Sequence, residues 1–315
     1  MSKYVVAGAG QVGYHLAERL AEQGHEVVVV TRSGSGPRTE GVRRVAADVA
    51  DAARLTELAR GAEALFNCVN PPYWRWPADW PPMAASFLTA AERTGAVLVI
   101  LGNLYGYGPV DGPITEDLPL AATGTKGRVR ARMWADALAA HEAGRIRAVE
   151  LRGSDFFGPG AVAGSHLGER FVPRLLAGKP AFYLGDPDQP HSWTYVKDVA
   201  RALEIAATDE RAWGRPWHVP TAPAVSAREV AKRVCELAGV SQPPRISVMP
   251  RLLRLVAGLF SPMLRELGEV QYQFDRPFVL DSSSFQATFG MHPTPLDEAL
   301  TETLDWWRTR ERSAA

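Results

Sequence analysis

The chain has 315 residues, 35 basic and 35 acidic side chains, 46% hydrophobic content and two cysteines. At about 150 residues per domain this leaves room for two domains with sizeable cores and excludes a disordered chain. A formal net charge of zero supplies no field for a polyanion or an anionic bilayer, so neither nucleic acid nor a membrane is expected as a partner.

The first predicted strand, Tyr4–Ala7, starts almost at the initiator methionine. No leader is therefore expected, and the protein is expected in the cytoplasm. The strand runs into Gly8-Ala9-Gly10-Gln11-Val12-Gly13, which opens a predicted helix over Gln11–Gln23. A GxGxxG loop between a strand and a helix has a specific use. The first glycine makes the tight turn, the second lets backbone approach a pyrophosphate, and the third allows close strand–helix packing, with Gln11 and Val12 at the helix start facing the phosphates. The second strand, Glu26–Thr31, ends in Thr31-Arg32-Ser33 where an NAD-preferring site places an acidic residue. A guanidinium beside two hydroxyls suits a 2′-phosphate, so the expected cofactor is NADP(H). The third strand, Arg43–Ala46, leads to Asp48 and Val49, which are expected to bracket the adenine.

A helix is predicted over Asp51–Arg60, then a strand over Ala64–Asn67 whose last residue, Asn67, joins the expected cofactor contacts. Next comes a proline-punctuated aromatic segment, residues 71–82, with Tyr73, Trp74, Trp76 and Trp80. It follows the fourth strand at the carboxyl edge where ligands bind in such sheets. Its rings are expected either to stack on a planar aromatic substrate or to plug the space under a long loop. A helix over Met83–Thr94, a strand over Ala96–Leu101, a helix over Gly127–Ala143 and a strand over Arg147–Arg152 complete the pattern. Alternating strands and helices of this kind give an α/β fold, a doubly wound parallel Rossmann sheet, here with a smaller C-terminal substrate domain. The expected boundary lies near residue 155, with residues 191–222 returning to the first domain and the rest of 156–315 forming the second. Ser226-Ala227-Arg228-Glu229 is a capping box for a helix to Ala238, and a last helix is predicted over Pro295–Arg308. The apolar stretch Leu252–Phe260 is interrupted by Arg254 and far shorter than the roughly 20 residues of a bilayer span. Cys68 and Cys235 lie far apart in apolar patterns, as buried thiols in a reducing compartment do, and no metal site is expected.

Further segments match a known pattern in order. Leu104-Tyr105-Gly106 is similar to a "VYG" motif after the fifth strand, and Pro113-Ile114-Thr115-Glu116-Asp117 to the "PITED" segment that follows it. Arg152 with Phe156-Phe157-Gly158-Pro159-Gly160 is similar to "RPxNVYGPG", and Trp193 to Ala200 to a "dfvyVdDvA" segment. With the glycine loop, these make the chain resemble the extended branch of the short-chain dehydrogenase/reductase superfamily, the NAD-dependent epimerase/dehydratase-like proteins. The resemblance adds Phe156 to the cofactor residues. It also implies a catalytic Ser four residues before the "VYG" tyrosine and a Tyr-x-x-x-Lys pair on the next helix. Leu101 occupies the Ser position, while Gly124 and Arg128 align with the Tyr and Lys. Lys126, close by in sequence, is a candidate to reach the cofactor ribose, but no tyrosine lies in that helix to be its partner. The remaining candidates for polar chemistry are Asn103 as an oxyanion donor, the phenols of Tyr105, Tyr107 and Tyr195, and His166 near a helix start.

A nicotinamide supplies the hydride, so redox chemistry survives without a triad if the developing alkoxide is stabilised and protonated. The expected activity is therefore NADPH-dependent reduction of a ketone on a bulky, polycyclic aromatic substrate, protonated by a phenol of that substrate or by water. The Ala/Arg/Gly-rich composition resembles that of high-GC actinobacterial proteins, where such ketoreductases tailor polyketide antibiotics, angucyclinones included. Two alternatives stand beside it: a nucleotide-sugar epimerase or dehydratase, and an NADP(H)-sensing regulator without turnover. A monomer or homodimer is expected.

Overall fold

The computed structural model describes Met1 to Ala314 apart from residues 163, 242, 251–258 and 261. Most of the apolar stretch 252–260 thus lies outside the described residues. Two compact units emerge: residues 1–108, 119–152 and 199–219 form the first, and residues 109–118, 153–198 and 220–315 the second.

The first unit is a parallel seven-stranded sheet. In chain order it contains β1 (Lys3–Ala7), α1 (Gly13–Glu22), β2 (Glu26–Thr31), β3 (Val42–Ala46), α2 (Ala52–Ala59), β4 (Ala64–Asn67), α3 (Trp76–Thr94), β5 (Val97–Asn103), α4 (Thr125–Glu142) and β6 (Ala148–Gly153). The sheet order is β3-β2-β1-β4-β5-β6, closed by the strand Pro216–His218. The order reverses between β1 and β4, whose registers pair Val5 with Leu65 and Ala7 with Asn67. That reversal leaves a crevice outside the carboxyl ends of the two strands, the place where ligands bind in such sheets.

Both faces of the central strands are covered, so they are apolar without alternation. Val27, Val28, Val29 and Val30 are all fully buried, each worth about 1.5–3 kcal/mol relative to an exposed side chain. Helix α1 presents Gly13, Leu16, Ala17, Leu20 and Ala21 to the sheet, a stripe at helical spacing. Asp51 caps α2 by accepting from the Arg54 N–H, and Gly95 ends α3 at φ 72°, a left-handed conformation that favours glycine.

One boundary departs from expectation. Helix α3 begins at Trp76, seven positions before the predicted Met83, and includes Pro81 and Pro82. Pro77 falls in the first turn, where no N–H partner is lost, but the two inner prolines each remove a hydrogen bond. Helical spacing puts Trp76 and Trp80 on one face, and both are completely buried. Burying two indoles outweighs the lost backbone bonds.

In the second unit, strand Asp155–Phe157 pairs in parallel with Trp193–Tyr195, and Ala181–Tyr183 with Ile246–Val248. Phe171, Trp193, Phe274 and Leu300 are among the side chains of its core, with helix Ala227–Ala238 packed against it. Ser226 caps that helix by accepting from Glu229 N–H, as its capping box requires. Among the described residues no helix is long and apolar enough to cross a membrane.

Candidate active site

The glycine loop stands at the carboxyl end of β1. Gly8 has φ 95°, and a Cβ there would lie 2.6 Å from the Cys68 carbonyl oxygen. A Cβ on Gly13 would lie 1.9 Å from the Gly8 oxygen. Both positions are therefore closed to side chains by the turn itself. At Gly10 a Cβ would meet nothing within 4 Å. The loop is sealed against β4 and α1 and open at its middle glycine, a cradle with backbone approach from one side. The first turn of α1 holds no acidic residue and its N-cap, Val12, offers no side-chain acceptor. The Tyr14 N–H of that turn donates to the Gly10 carbonyl at 3.1 Å, and the positive end of the helix dipole favours an anion at the loop. The side-chain carbonyl of Gln11 is buried without a hydrogen-bond partner among the described residues. The open middle glycine and the amino end of α1 fit the pyrophosphate of a dinucleotide, whereas the Gln11 oxygen is an acceptor and calls for a donor instead.

Arg32 is exposed just past β2. The neighbouring hydroxyls shape the turn: Thr31 Oγ1 donates to the Ser35 carbonyl at 2.9 Å and Ser33 Oγ to Ser35 Oγ at 3.0 Å. The charge of Arg32 reaches Asp79, whose carboxyl is held below its usual range first by the hydrogen bonds from Arg75 and to a lesser degree by Arg32. Asp48 and Val49 were expected beside the adenine. The Asp48 carboxylate accepts from Ala50 N–H, closing a local turn, and Val49 is buried in the sheet core. The chain after β3 turns the apolar side chain of Val49 inward, where it packs in that core. Asn67 is buried at the end of β4 and its amide oxygen accepts from Val69 N–H.

A second corner of the same sheet edge is built from large side chains. Trp76 and Trp80 pack edge to face at 6.1 Å, with Met133 of α4 beside them. Trp76 Nε1 donates to the Pro71 carbonyl. The two expectations for this segment divide between its rings: Trp76 and Trp80 form the plug and are corrected as substrate contacts, and of the four only Tyr73 and Trp74 keep accessible surface, Trp74 being 51% exposed. Between the two indoles lies Arg130 of α4, its guanidinium 4.7 and 4.6 Å from their rings and its Nη1 donating to the Leu101 carbonyl. Burial pulls the Arg130 guanidinium below its ordinary value, against the charge of Glu150 and the nearby phenols of Tyr73 and Tyr105. Those two phenols meet each other, Oη to Oη at 2.8 Å. Lys126, also buried, sets its ammonium 5.8 Å from the centre of the Tyr73 ring.

The remaining candidates are occupied otherwise. The Asn103 amide oxygen accepts from Tyr105 N–H and caps the short helix at Leu104–Tyr107. Tyr107 is buried, its hydroxyl held by Arg152 Nη1 at 2.7 Å and by His218 Nε2 at 2.8 Å, while Arg152 also bridges to Glu150. It belongs to a buried polar network that ties β5, β6 and the last strand. In the second unit Tyr195 donates to Glu302 at 2.7 Å; burial first, then Glu302, pushes its phenol well up. There too His166 lies against the Phe274 ring at 3.9 Å, and burial lowers its pKa. Phe156 packs on the Gly153 backbone, where a Cβ would meet its ring at 2.5 Å.

A model of the NAD dependent epimerase/dehydratase family matches residues 4–219. The chain belongs to this family. It is 29% identical over 263 residues to dTDP-6-deoxy-L-talose 4-dehydrogenase (NAD(P)(+)) of Kitasatospora kifunensis, covering 78% of this chain and 81% of that enzyme. It is 24% identical over 258 residues to UDP-N-acetyl-alpha-D-glucosaminuronate decarboxylase of Bacillus cytotoxicus, covering 74% and 79%. Among solved structures, an epimerase of Methanothermobacter thermautotrophicus superposes with a TM-score of 0.83 at 18% identity, over 99% of this chain and 94% of that one. The dTDP-glucose 4,6-dehydratase of Bacillus anthracis, in complex with NAD, gives 0.81 at 16% identity over 99% and 98%.

Within this epimerase/dehydratase fold the start of α4 separates the two cations near the expected lysine position. Arg128 is exposed and donates to the Thr123 carbonyl, whereas Lys126 is buried on the face of α4 that meets the sheet edge. Gly127 permits this: a Cβ there would lie 2.2 Å from Ala122 Cβ and 2.6 Å from the Tyr105 carbonyl oxygen. The position four before Lys126 is Ala122, whose N–H donates to the Gly106 carbonyl. Arg130 escaped the sequence reading altogether. Its signal was there: Lys126 and Arg130 share a helix face with Met133 and Ala137, so two cations sit on a stripe that must be buried.

Proposed function

We propose that this chain is an NAD(P)(H)-dependent oxidoreductase interconverting a secondary alcohol and a ketone on a nucleotide-linked sugar, with NADP(H) preferred. The observation that carries the reading is the shared sheet edge: an open glycine cradle after β1 and, after β4 and β5, a buried lysine beside accessible phenols. The relatives named above support a sugar nucleotide over a polycyclic aromatic ketone. We read Lys126 as the lysine of the Tyr-x-x-x-Lys pattern and Ala122 as standing where its tyrosine would be.

When bound, the cofactor gives or takes a hydride. Gly8, Gly10, Gly13 and the amino end of α1 hold its pyrophosphate, Arg32 favours a 2′-phosphate through charge-assisted hydrogen bonds, and Lys126 serves its ribose. The indole plug excludes water beneath the site, which strengthens every polar interaction above it.

One observation favours a second reading, reduction of a polycyclic ketone of the polyketide-antibiotic type: Trp74 exposes a large flat ring beside Tyr73, suited to stacking on an aromatic substrate. A direct comparison separates them. NADPH consumption is followed with a dTDP-4-keto-6-deoxyhexose and with 9,10-phenanthrenequinone. Turnover of the sugar nucleotide alone upholds the first reading, and turnover of the quinone alone replaces it with the second. NADPH binding with neither substrate consumed would leave a cofactor sensor and end both.

A further inference from the structure

We infer that the paired phenols of Tyr73 and Tyr105 are the proton donor of this enzyme, an assignment that rests on the oxidoreductase reading above. It moves the donor off α4, where Ala122 has no proton to give, onto two segments at the carboxyl ends of β4 and β5. Tyr73 and Tyr105 lie 32 positions apart in sequence, yet their oxygens meet at 2.8 Å. Tyr107 and Tyr195 spend their hydroxyls on a buried arginine and on a glutamate. The Tyr73–Tyr105 pair is only part-buried, and it is the phenol cluster on the sheet edge that carries the glycine cradle.

Two phenols hold two protons. One lies between the oxygens, and the acceptor phenol retains its own. As a carbonyl carbon receives a hydride from the reduced nicotinamide, the C=O π pair moves to oxygen, which takes the acceptor phenol's proton. The other phenol then passes its proton across the 2.8 Å hydrogen bond, and water reprotonates the phenolate left behind. Oxidation of an alcohol runs the same relay backwards. Lys126 beneath the Tyr73 ring and Arg130 between the indoles place two cations beside the pair, and nearby positive charge favours the transient phenolate. The Trp76 ring, 5.1 Å from Tyr73 and 6.0 Å from Tyr105, fixes both phenols from below. A protein donor in this place replaces the expectation that substrate or water must supply the proton.

The test compares wild type with Tyr73→Phe, Tyr105→Phe and the double variant, using whichever of the two carbonyl probes above the wild type consumes. Turnover, NADPH affinity by fluorescence titration, thermal unfolding and the solvent deuterium isotope effect are measured. The proposal expects kcat to fall about 10²–10⁴-fold in at least one single variant, the scale of general acid catalysis. The double variant should be no worse than the weaker single, because the two act as one unit. NADPH affinity and melting temperature should hold, and the solvent isotope effect on kcat should rise as proton transfer becomes limiting. Full turnover in all three variants would overturn the donor assignment alone. So would a loss of kcat that tracks lost NADPH affinity or stability. A wild type that consumes neither probe would overturn the oxidoreductase reading and the donor with it.

Discussion

The two corners of the sheet edge are built on opposite principles. At the β1 corner the site is made by leaving side chains out: Gly8 and Gly13 admit no Cβ, and Gly10 faces open space. At the β4–β5 corner it is made by filling space with Trp76, Trp80, Arg130 and Lys126, all buried. A cradle of backbone N–H groups can hold any pyrophosphate, so it says little about the reaction. A packed array of rings and cations positions particular hydroxyls, and the proton chemistry we propose is placed there. The second corner is also where the chain departs from the motif its family resemblance implies, Leu101, Gly124 and Arg128 standing at the positions aligned with the Ser, Tyr and Lys.

Breaking the aromatic corner should have the largest effect on folding. Trp76→Ala removes a fully buried indole and is expected to cost about 3–5 kcal/mol, read as a lower urea midpoint. If Trp76→Ala melts like wild type, the plug is not structural. The glycine corner should fail differently. Gly13→Ala forces a Cβ into the Gly8 oxygen, overpacking worth about 1–3 kcal/mol, whereas Gly10→Ala should leave the melting temperature unchanged and still weaken NADPH binding. Equal NADPH affinity in Gly10→Ala, measured by calorimetry, would mean that no phosphate approaches that glycine.

Arg32 lies beyond the cradle and should govern which dinucleotide is chosen. Arg32→Ala is expected to remove about 1.5–3 kcal/mol of preference for NADPH over NADH, the value of charge-assisted hydrogen bonds to a phosphate. Similar affinities for both dinucleotides in wild type would withdraw the NADP(H) assignment. Within the aromatic segment the smallest effect on folding is expected at Trp74, its exposed member. Trp74→Ala should change stability by no more than about 0.5 kcal/mol, as surface substitutions usually do. A raised KM for a carbonyl substrate with unchanged NADPH affinity would place its ring in the substrate site.

The parallel sheet was legible because its signals are local. Runs such as Val27–Val30 are apolar without alternation, and the glycine loop joins strand to helix within a few residues, so neighbours in sequence are neighbours in space. Arg32 was legible for the same reason, its place following from the end of β2. The start of α3 was misplaced because Pro77, Pro81 and Pro82 argue locally against a helix, while the burial that overrides them comes from Met133 and Arg130 on α4. The meeting of Tyr73 with Tyr105, and the choice of Lys126 over Arg128 as the buried cation, depend on α4 approaching the Tyr105 backbone across Gly127. Sequence alone therefore determined the parallel sheet and the glycine loop that joins β1 to α1, where periodicity and backbone conformation decide. Only the tertiary structure decided which rings are plug and which are accessible, and which hydroxyls meet, because contacts between distant segments are set by packing rather than by spacing.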